Sequence, residues 1–461
     1  MQAPRLPRVR RPWTLIAGAV AVATLAACGS ARAPVAPAPV AAPVVAAPVV
    51  AAAPAPVPAP APAVAAAPAP AAPAATPVPA ARPVAATPPS NTFVAPAPVP
   101  FDDAIARAGR ELFEQARGQL GNEPRALVVD PLIDANTGAQ TVSTVRMGAQ
   151  LESIVKAQNA SWQVKPLTRQ ALAERPLLLI GTLTPVNVER AIDTPPDAYR
   201  VWLTLIDLRS GRVVAKQLDR ATIDSVNPEP LKFYSDSPTW HRDKTVAAYI
   251  NSCQINTKIG DPADPDYLAR LPAAALVNEA IMAYSEGKIP AAQQLYKEAE
   301  PMADPGDLRV LNGLYLTSWQ LGQKAAAKDA FGKLVESGLE LKRLPVKLLF
   351  QPGRTSFNAI GDLPQQYALW IESLAQKAGQ TDTCVRIVGH TSRTGSASVN
   401  ERLSRQRAEA VQKLLERNNR ALSTRLTAAG VGSREALVGL GTDDARDALD
   451  RRVEFRVVDC V

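Results

Sequence analysis

Proline decides where this chain can fold. Of its 43 prolines, 24 lie in the first 100 residues and 19 in the remaining 361. From Ala31 to Pro100 the sequence cycles through Ala, Pro and Val, and its only charges are Arg32 and Arg82. Each proline removes a backbone donor and locks φ, so frequent prolines exclude helix and sheet ladders and leave polyproline II. The segment reads as a disordered Pro/Ala-rich tether that reaches on the order of 200 Å when fully extended at ~3.1 Å per residue. Globular structure is expected only after residue 100, where the chain is long enough for several domains.

Ahead of the tether, Arg5, Arg8, Arg10 and Arg11 precede an apolar run from Trp13 to Ala27, ending in Leu25-Ala26-Ala27-Cys28-Gly29. A basic start, a short apolar core and small residues before a cysteine have the layout of an export signal. The apolar run is too short for the ~20 residues of a permanent spanning helix. Leu-Ala-Ala-Cys resembles the bacterial lipobox. The resemblance implies a signal peptide over residues 1–27, cleavage before Cys28, and acyl chains (palmitate among them) on that cysteine. It also implies an outer-membrane location facing the periplasm, because Gly29 stands where an inner-membrane retention Asp would. Several chains on one residue anchor stably, each buried methylene contributing about 0.8 kcal/mol. Residues 28–100 are then lipidated cysteine plus linker. Without residues 1–27 the formal charge falls from +8 to +4, 47 basic against 43 acidic residues. No dense Lys/Arg run with interleaved aromatics occurs, so nucleic acid is not an expected partner.

Residues 101–262 read as one α/β domain. Asp102 to Leu120 places Ile105, Leu112, Phe113 and Ala116 on one helical side. Ala126 to Pro131 and Pro176 to Gly181 read as buried strands, with an amphipathic stretch near Val145 to Lys156 between them. Tyr199 to Asp207 alternates as a third strand and turns at Ser210-Gly211 into Val213-Val214-Ala215. This order resembles the FlgO, LpoB and CsgG type of periplasmic accessory domain. Asp130 and Asp134 have no His, Cys or polar cluster beside them and read as turn-capping aspartates, not as an acid/base pair.

Residues 268–341 are helical and Ala-rich. Ala283, Gly287, Ala292, Tyr296 and Ala299 recur as Ser318, Gly322, Ala327, Phe331 and Leu334, a constant offset of 35. The segment resembles tetratricopeptide repeats, whose period is about 34. Two repeats are fewer than such arrays normally need, so packing on a neighbouring domain is expected. A structural spacer and a peptide-binding groove are both open readings.

Residues 342–461 contain Gly389-His390-Thr391, then Asn400-x-x-Leu403-Ser404-x-x-Arg407-Ala408, then Asp450-Arg451-Arg452-Val453-Glu454-Phe455. Together with the element order, these resemble the OmpA-like peptidoglycan-binding domain. The resemblance implies a βαβαββ module, with strands at 345–350, 384–389, 437–442 and 451–458 and helices at 366–377 and 400–417. The whole is then a multidomain α/β (α+β) chain: a tether, a middle α/β domain, a short helical repeat and a C-terminal OmpA-like domain. The implied ligand is the diaminopimelate stem peptide of peptidoglycan, met by Thr391, Ser392, Arg393, Asn400, Leu403 and Arg407. In that family an Asp follows Gly-His-Thr and takes the ligand ammonium, while the Arg takes its carboxylate. Here the Asp position is Ser392. A guanidinium suits a carboxylate because its planar fork donates two parallel bonds, so Arg407 is the expected carboxylate partner. Asn400 can cap the second helix or touch ligand, and Leu403 is expected buried on the Arg407 face.

Ser392 offers the ammonium no charge, and Arg393 repels it. Three readings follow: weakened binding, a substitute carboxylate from Asp443, Asp444 or Asp447, or a different ligand such as amidated diaminopimelate or a wall-associated protein. The acidic cluster also reads as a solvated loop paired with Arg446, Arg451 or Arg452. His390 reads as a partly buried loop histidine bonded to backbone, and with His241 the only other histidine no metal site or cofactor is expected. If the last strand runs antiparallel beside strand two, the start of one lies near the end of the other, which makes Cys384–Cys460 the expected disulfide and leaves Cys253 free. No Ser/His/Asp, Cys/His or metal constellation supports a wall hydrolase. The expected function is non-enzymatic: an outer-membrane lipoprotein bound non-covalently to peptidoglycan. The alternative is a periplasmic adaptor or secretion or appendage-assembly component, in which the middle parts bind proteins and the C-terminal module only localises them.

Overall fold

The computed structural model describes residues 96–159, 161–187, 195–254, 257–342, 344–437, 439, 441–443 and 445–460. The expected signal, Cys28 and nearly all of the tether lie outside them. The described residues form one compact unit.

The first half is a three-layer α/β assembly. Its elements are α1 (Phe101–Leu120), β1 (Arg125–Val129), β2 (Ile133–Asp134), α2 (Val142–Gln158), β3 (Trp162–Lys165), α3 (Arg169–Ala173), β4 (Leu177–Val186), β5 (Ala198–Asp207), β6 (Arg212–Thr222), α4 (Lys232–Asp236) and α5 (Lys244–Cys253). The strand order is β3-β1-β4-β5-β6, parallel through β3, β1 and β4 and antiparallel from β4 to β6. β4 is apolar at successive positions because both its faces are covered. Leu177 and Leu179 pack with Ile105, Leu112, Phe113 and Leu151 of α1 and α2, whereas Leu178 and Ile180 pack with Val246 and Tyr249 of α5. Asp134 caps its turn by accepting from the Asn136 and Thr137 backbone amides and the Thr137 hydroxyl. Asp130 departs from the turn-cap expectation. It is buried and accepts from the Tyr267 hydroxyl at 2.5 Å, a partner 137 residues away that no local pattern announces.

The period of 35 becomes two helical hairpins: α6 (Pro265–Ser285) with α7 (Ile289–Ala299), and α8 (Leu308–Gln320) with α9 (Lys324–Glu340). Gly287 and Gly322 adopt φ of 76° and 72° in the two equivalent turns, a region that suits glycine. α6 serves two cores. Tyr267, Leu271 and Ala275 cover the α/β sheet, and Leu276, Ala280 and Tyr284 face the other helices. At the far end, Phe331 stacks on Trp370 at 5.8 Å, and the Trp370 indole donates to the Tyr315 hydroxyl at 2.7 Å.

Trp370 belongs to the last part, made of β7 (Leu348–Leu349), α10 (Leu363–Gly379), β8 (Cys384–Gly389), α11 (Ala397–Asn418), β9 (Leu426–Gly430), α12 (Ala445–Asp450) and β10 (Arg452–Val458). The sheet order is β7-β10-β8-β9, with β8 and β9 parallel and β10 antiparallel to its neighbours. Its third strand is not the expected 437–442 but Leu426–Gly430. Gly441, at the end of that stretch, has φ of 82°, which a strand does not accommodate. Val438 and Leu440 lie outside the described residues. The small sequence Leu-Thr-Ala-Ala-Gly forms the strand because α11 crosses so close that a Cβ on Gly430 would strike its backbone at Arg405.

The antiparallel register puts Val458 opposite Cys384, and Cys460 closes a disulfide to Cys384. Cys253 is buried and free, its thiol pushed by burial to about 12. Native Cys253 is therefore expected to resist maleimide and to react on unfolding. Peptide mapping that found it linked to Cys384 or Cys460 would overturn the pairing.

Segment 237–241 joins the α/β part to the last sheet. Thr239 bridges Val346, Lys347 N–H donates to the Pro238 carbonyl at 2.9 Å, and Trp240 N–H donates to the Pro345 carbonyl at 3.1 Å. The Lys347 ammonium is buried there, 4.4 Å from the Trp240 ring centroid and 3.3 Å from the Tyr234 carbonyl oxygen. Burial lowers it to about 7, against the opposing pull of Asp236 and Glu454. An unfolded lysine keeps its proton to about 10.4, so between these values the unfolded state binds more protons and stability rises with pH. The midpoint of thermal unfolding is expected to climb from pH 7 to 9.5, and Lys347→Met to lose that climb. An equal climb in both proteins would disprove the assignment.

Candidate functional site

The expected ligand segment is built as strand, loop and helix: β8 ends at Gly389, the loop runs to Ser396, and α11 begins at Ala397. The helix starts three residues before Asn400, so Asn400 is not its cap. The N-cap is Ser396, with no side-chain capping bond. Asn400 is buried and donates instead to the Ser392 carbonyl at 3.3 Å and the Thr394 carbonyl at 3.1 Å, pinning the loop to the helix. Thr391 and Ser392 are buried, and Arg393 and Leu403 are half-buried. Leu403 is thus less enclosed than expected, because α11 presents Ser404, Arg407, Ala408 and Val411 to the sheet.

Arg407 is 0% exposed. Its Nε donates to the Arg354 carbonyl at 2.9 Å, one terminal nitrogen to the His390 carbonyl at 3.0 Å, and the other to the Gln351 carbonyl at 3.0 Å. The guanidinium also lies 5.2 Å from the Phe350 ring centroid. It therefore ties the loop after β7 to the end of β8. Burial and the neighbouring Arg451 depress it to about 10, leaving it charged at neutral pH. Ser404, within the Leu-Ser-x-x-Arg motif but not singled out from sequence, is fully buried and receives the Gly432 N–H at 3.0 Å, while the Gly432 carbonyl receives the Thr391 N–H at 2.9 Å.

His390 departs from expectation. Its backbone N–H bonds the Arg452 carbonyl, but its ring is fully buried and neither nitrogen has a hydrogen-bond partner among the described residues. Glu435 and Glu454 stand 3.8 and 3.7 Å from the two nitrogens. Burial, helped by Arg452, lowers the imidazole to about 3 and keeps it neutral. The acidic loop is not simply solvated. Asp447 is buried and accepts from the Gly441 and Asp443 amides; Asp450 is buried and accepts from those of Leu437 and Gly439. Asp443 alone of these pairs outward, accepting from Arg451 at 3.0 Å. Asp444 and the Arg446 side chain lie outside the described residues. Among the described residues no group of three or more His, Cys, Asp or Glu is placed to hold a metal ion, and no helix is long and apolar enough to cross a membrane.

Residues 349–449 match the model of the OmpA family. The C-terminal module is an OmpA-family domain. Among solved structures, the peptidoglycan-associated lipoprotein from Burkholderia pseudomallei is similar at 25% identity, over 24% of this chain and 89% of that one, with a TM-score of 0.21. The cell wall anchor of the T6SS from Pseudomonas aeruginosa is similar at 27% identity, over 24% of this chain and 73% of that one, with a TM-score of 0.20. The OmpA-like domain of FopA1 from Francisella tularensis is similar at 22% identity, over 24% and 70%, with a TM-score of 0.20. No curated protein matches the chain. An OmpA-family domain is a non-enzymatic module that supports peptidoglycan binding, which associates this end of the chain with the cell envelope.

Proposed function

We propose that this protein is a lipid-anchored outer-membrane lipoprotein that binds peptidoglycan non-covalently from the periplasmic side. The observation that carries the reading is the Gly389–Arg407 strand-loop-helix frame, held closed by Asn400 and Arg407 within an OmpA-family domain. The ligand is the diaminopimelate end of the stem peptide, met by Thr391, Ser392 and Arg393. Asn400, Leu403 and Arg407 shape the loop from the helix side. The proposed parts are the signal 1–27, the lipidated linker 28–100, an α/β accessory domain 101–262, tetratricopeptide-like repeats 268–341 and the wall-binding module 342–461.

The adaptor reading has one observation in its favour. Thr239, Trp240 and Lys347 pair the accessory part to the wall-binding sheet, so a wall-bound module would present the accessory surface in a set orientation to periplasmic proteins.

The test is sedimentation of the full chain with purified diaminopimelate-type sacculi, with Cys28→Ser fractionated alongside. Binding that free diaminopimelate competes away, and loss of membrane association in Cys28→Ser, are expected. A protein that stays in the supernatant would refute wall binding; Cys28→Ser remaining with the outer membrane would refute the lipid anchor.

A further inference from the structure

We propose that Asp443, oriented by Arg451, takes the ammonium of the diaminopimelate terminus and supplies the charge that Ser392 lacks. The proposal rests on the wall-binding reading above and names the residue that reads the ligand's cation.

The loop carrying Asp443 lies against the ligand segment. A Cβ built on Gly441 would come within 3.2 Å of the Arg393 Cβ and 3.6 Å of the Arg393 carbonyl carbon. A side chain there would crowd Arg393, and the φ of 82° at Gly441 independently favours glycine. The loop is held from beneath by two buried carboxylates. Asp450 accepts from Gly439 at 2.7 Å, and Asp447 accepts from Gly441 at 3.1 Å and from Asp443 at 2.5 Å. Asp447 and Asp450 are therefore occupied by backbone amides and face inward. Asp443 itself has φ of 59°, a left-handed conformation that costs most side chains and that Asp tolerates better than most. That turn leaves its side chain 53% exposed while Arg451, 10% exposed, holds one oxygen.

A second set of groups points to a ligand rather than to a closed ion pair. Arg451 Nε, Arg393 Nε and the Thr391 hydroxyl are buried and have no hydrogen-bond partner among the described residues. Unmet guanidinium donors call for an anionic oxygen, since a buried unpaired donor is costly. Beside a carboxylate, they suit an amino-acid terminus, whose own carboxylate and ammonium lie one carbon apart. Three of the five Arg407 donors serve the backbone and the side chain is fully buried, so its part in this is mainly electrostatic.

The test measures affinity of the full chain for free diaminopimelate and for pimelate, which has both carboxylates and no ammonium. Wild type, Asp443→Asn, Ser392→Asp and the double variant are compared. Because charge-assisted bonds are about twice as strong as neutral ones, Asp443→Asn is expected to lose roughly tenfold for diaminopimelate and little for pimelate. Ser392→Asp is expected to restore the preference in the double variant. Asp443→Asn with an unchanged diaminopimelate-to-pimelate ratio overturns the proposal while leaving wall binding intact. A wild type that binds neither sacculi nor diaminopimelate overturns both. Thermal melts matched between Asp443→Asn and wild type show that the change is one of recognition.

Discussion

Arg407→Ala is expected to unfold the ligand loop and not merely to weaken binding. The substitution removes three hydrogen bonds made by a fully buried cation: the buried His390 carbonyl loses its donor, the Arg354 carbonyl loses its tie to α11, and the Gln351 carbonyl keeps only the Arg354 N–H. Hydrogen bonds to charged groups contribute about 1.5–3 kcal/mol each and are not additive, so a loss on the order of 3–5 kcal/mol is expected. The thermal transition should fall and sacculus binding should vanish with it. A ligand contact of the kind read from sequence would behave differently, losing binding with an unchanged melt. Measuring both on one preparation separates the two roles, and an unshifted melting temperature would return Arg407 to direct ligand contact.

Gly389→Ala is expected to be at least as damaging. A Cβ at this position would collide with the Ser404 carbonyl oxygen and carbon, atoms of the α11 backbone that cannot rotate away. Ordinary overpacking against movable side chains costs about 1–3 kcal/mol. Here the helix must translate, which would pull Arg407 and Asn400 off the loop they hold. Gly118, exposed on α1 with open space around its Cβ position, is the control. Gly118→Ala should stabilise by roughly 0.5–1 kcal/mol, because a helical glycine loses more conformational freedom than alanine. Denaturant midpoints would check both, and a Gly389→Ala protein as stable as wild type would show that α11 does not press on β8 at this position.

Much of the architecture was readable because its causes are local. The apolar run at Leu177 to Ile180 marks a strand covered on both faces, and the offset of 35 marks two hairpins whose glycine turns recur with it. Gly-His-Thr and Asn-x-x-Leu-Ser-x-x-Arg mark the strand-loop-helix frame. Reading failed where a local pattern competed with a distant contact. Val-Gly-Leu-Gly near residue 440 looks more strand-like than Leu-Thr-Ala-Ala-Gly, yet the second is the strand, and its last residue, Gly430, leaves no room for a Cβ beneath α11. Asn400 looks like a cap, but the helix begins earlier and the amide serves the loop.

The sequence by itself determined which part of the chain is dense in proline, where a lipobox-like cysteine stands, and which segment carries the OmpA-family motif. Those follow from composition, period and spacing among near neighbours. Only the tertiary structure decided what each polar group does. Arg407 meets carbonyls 17, 53 and 56 residues away, and the loop of Asp443 reaches Arg393 across some fifty residues of helix and strand. Hydrogen-bond satisfaction and electrostatic pairing act through space at a few ångströms. Which carboxylate answers an ammonium is therefore set by how the backbone packs, not by the order of residues around Ser392.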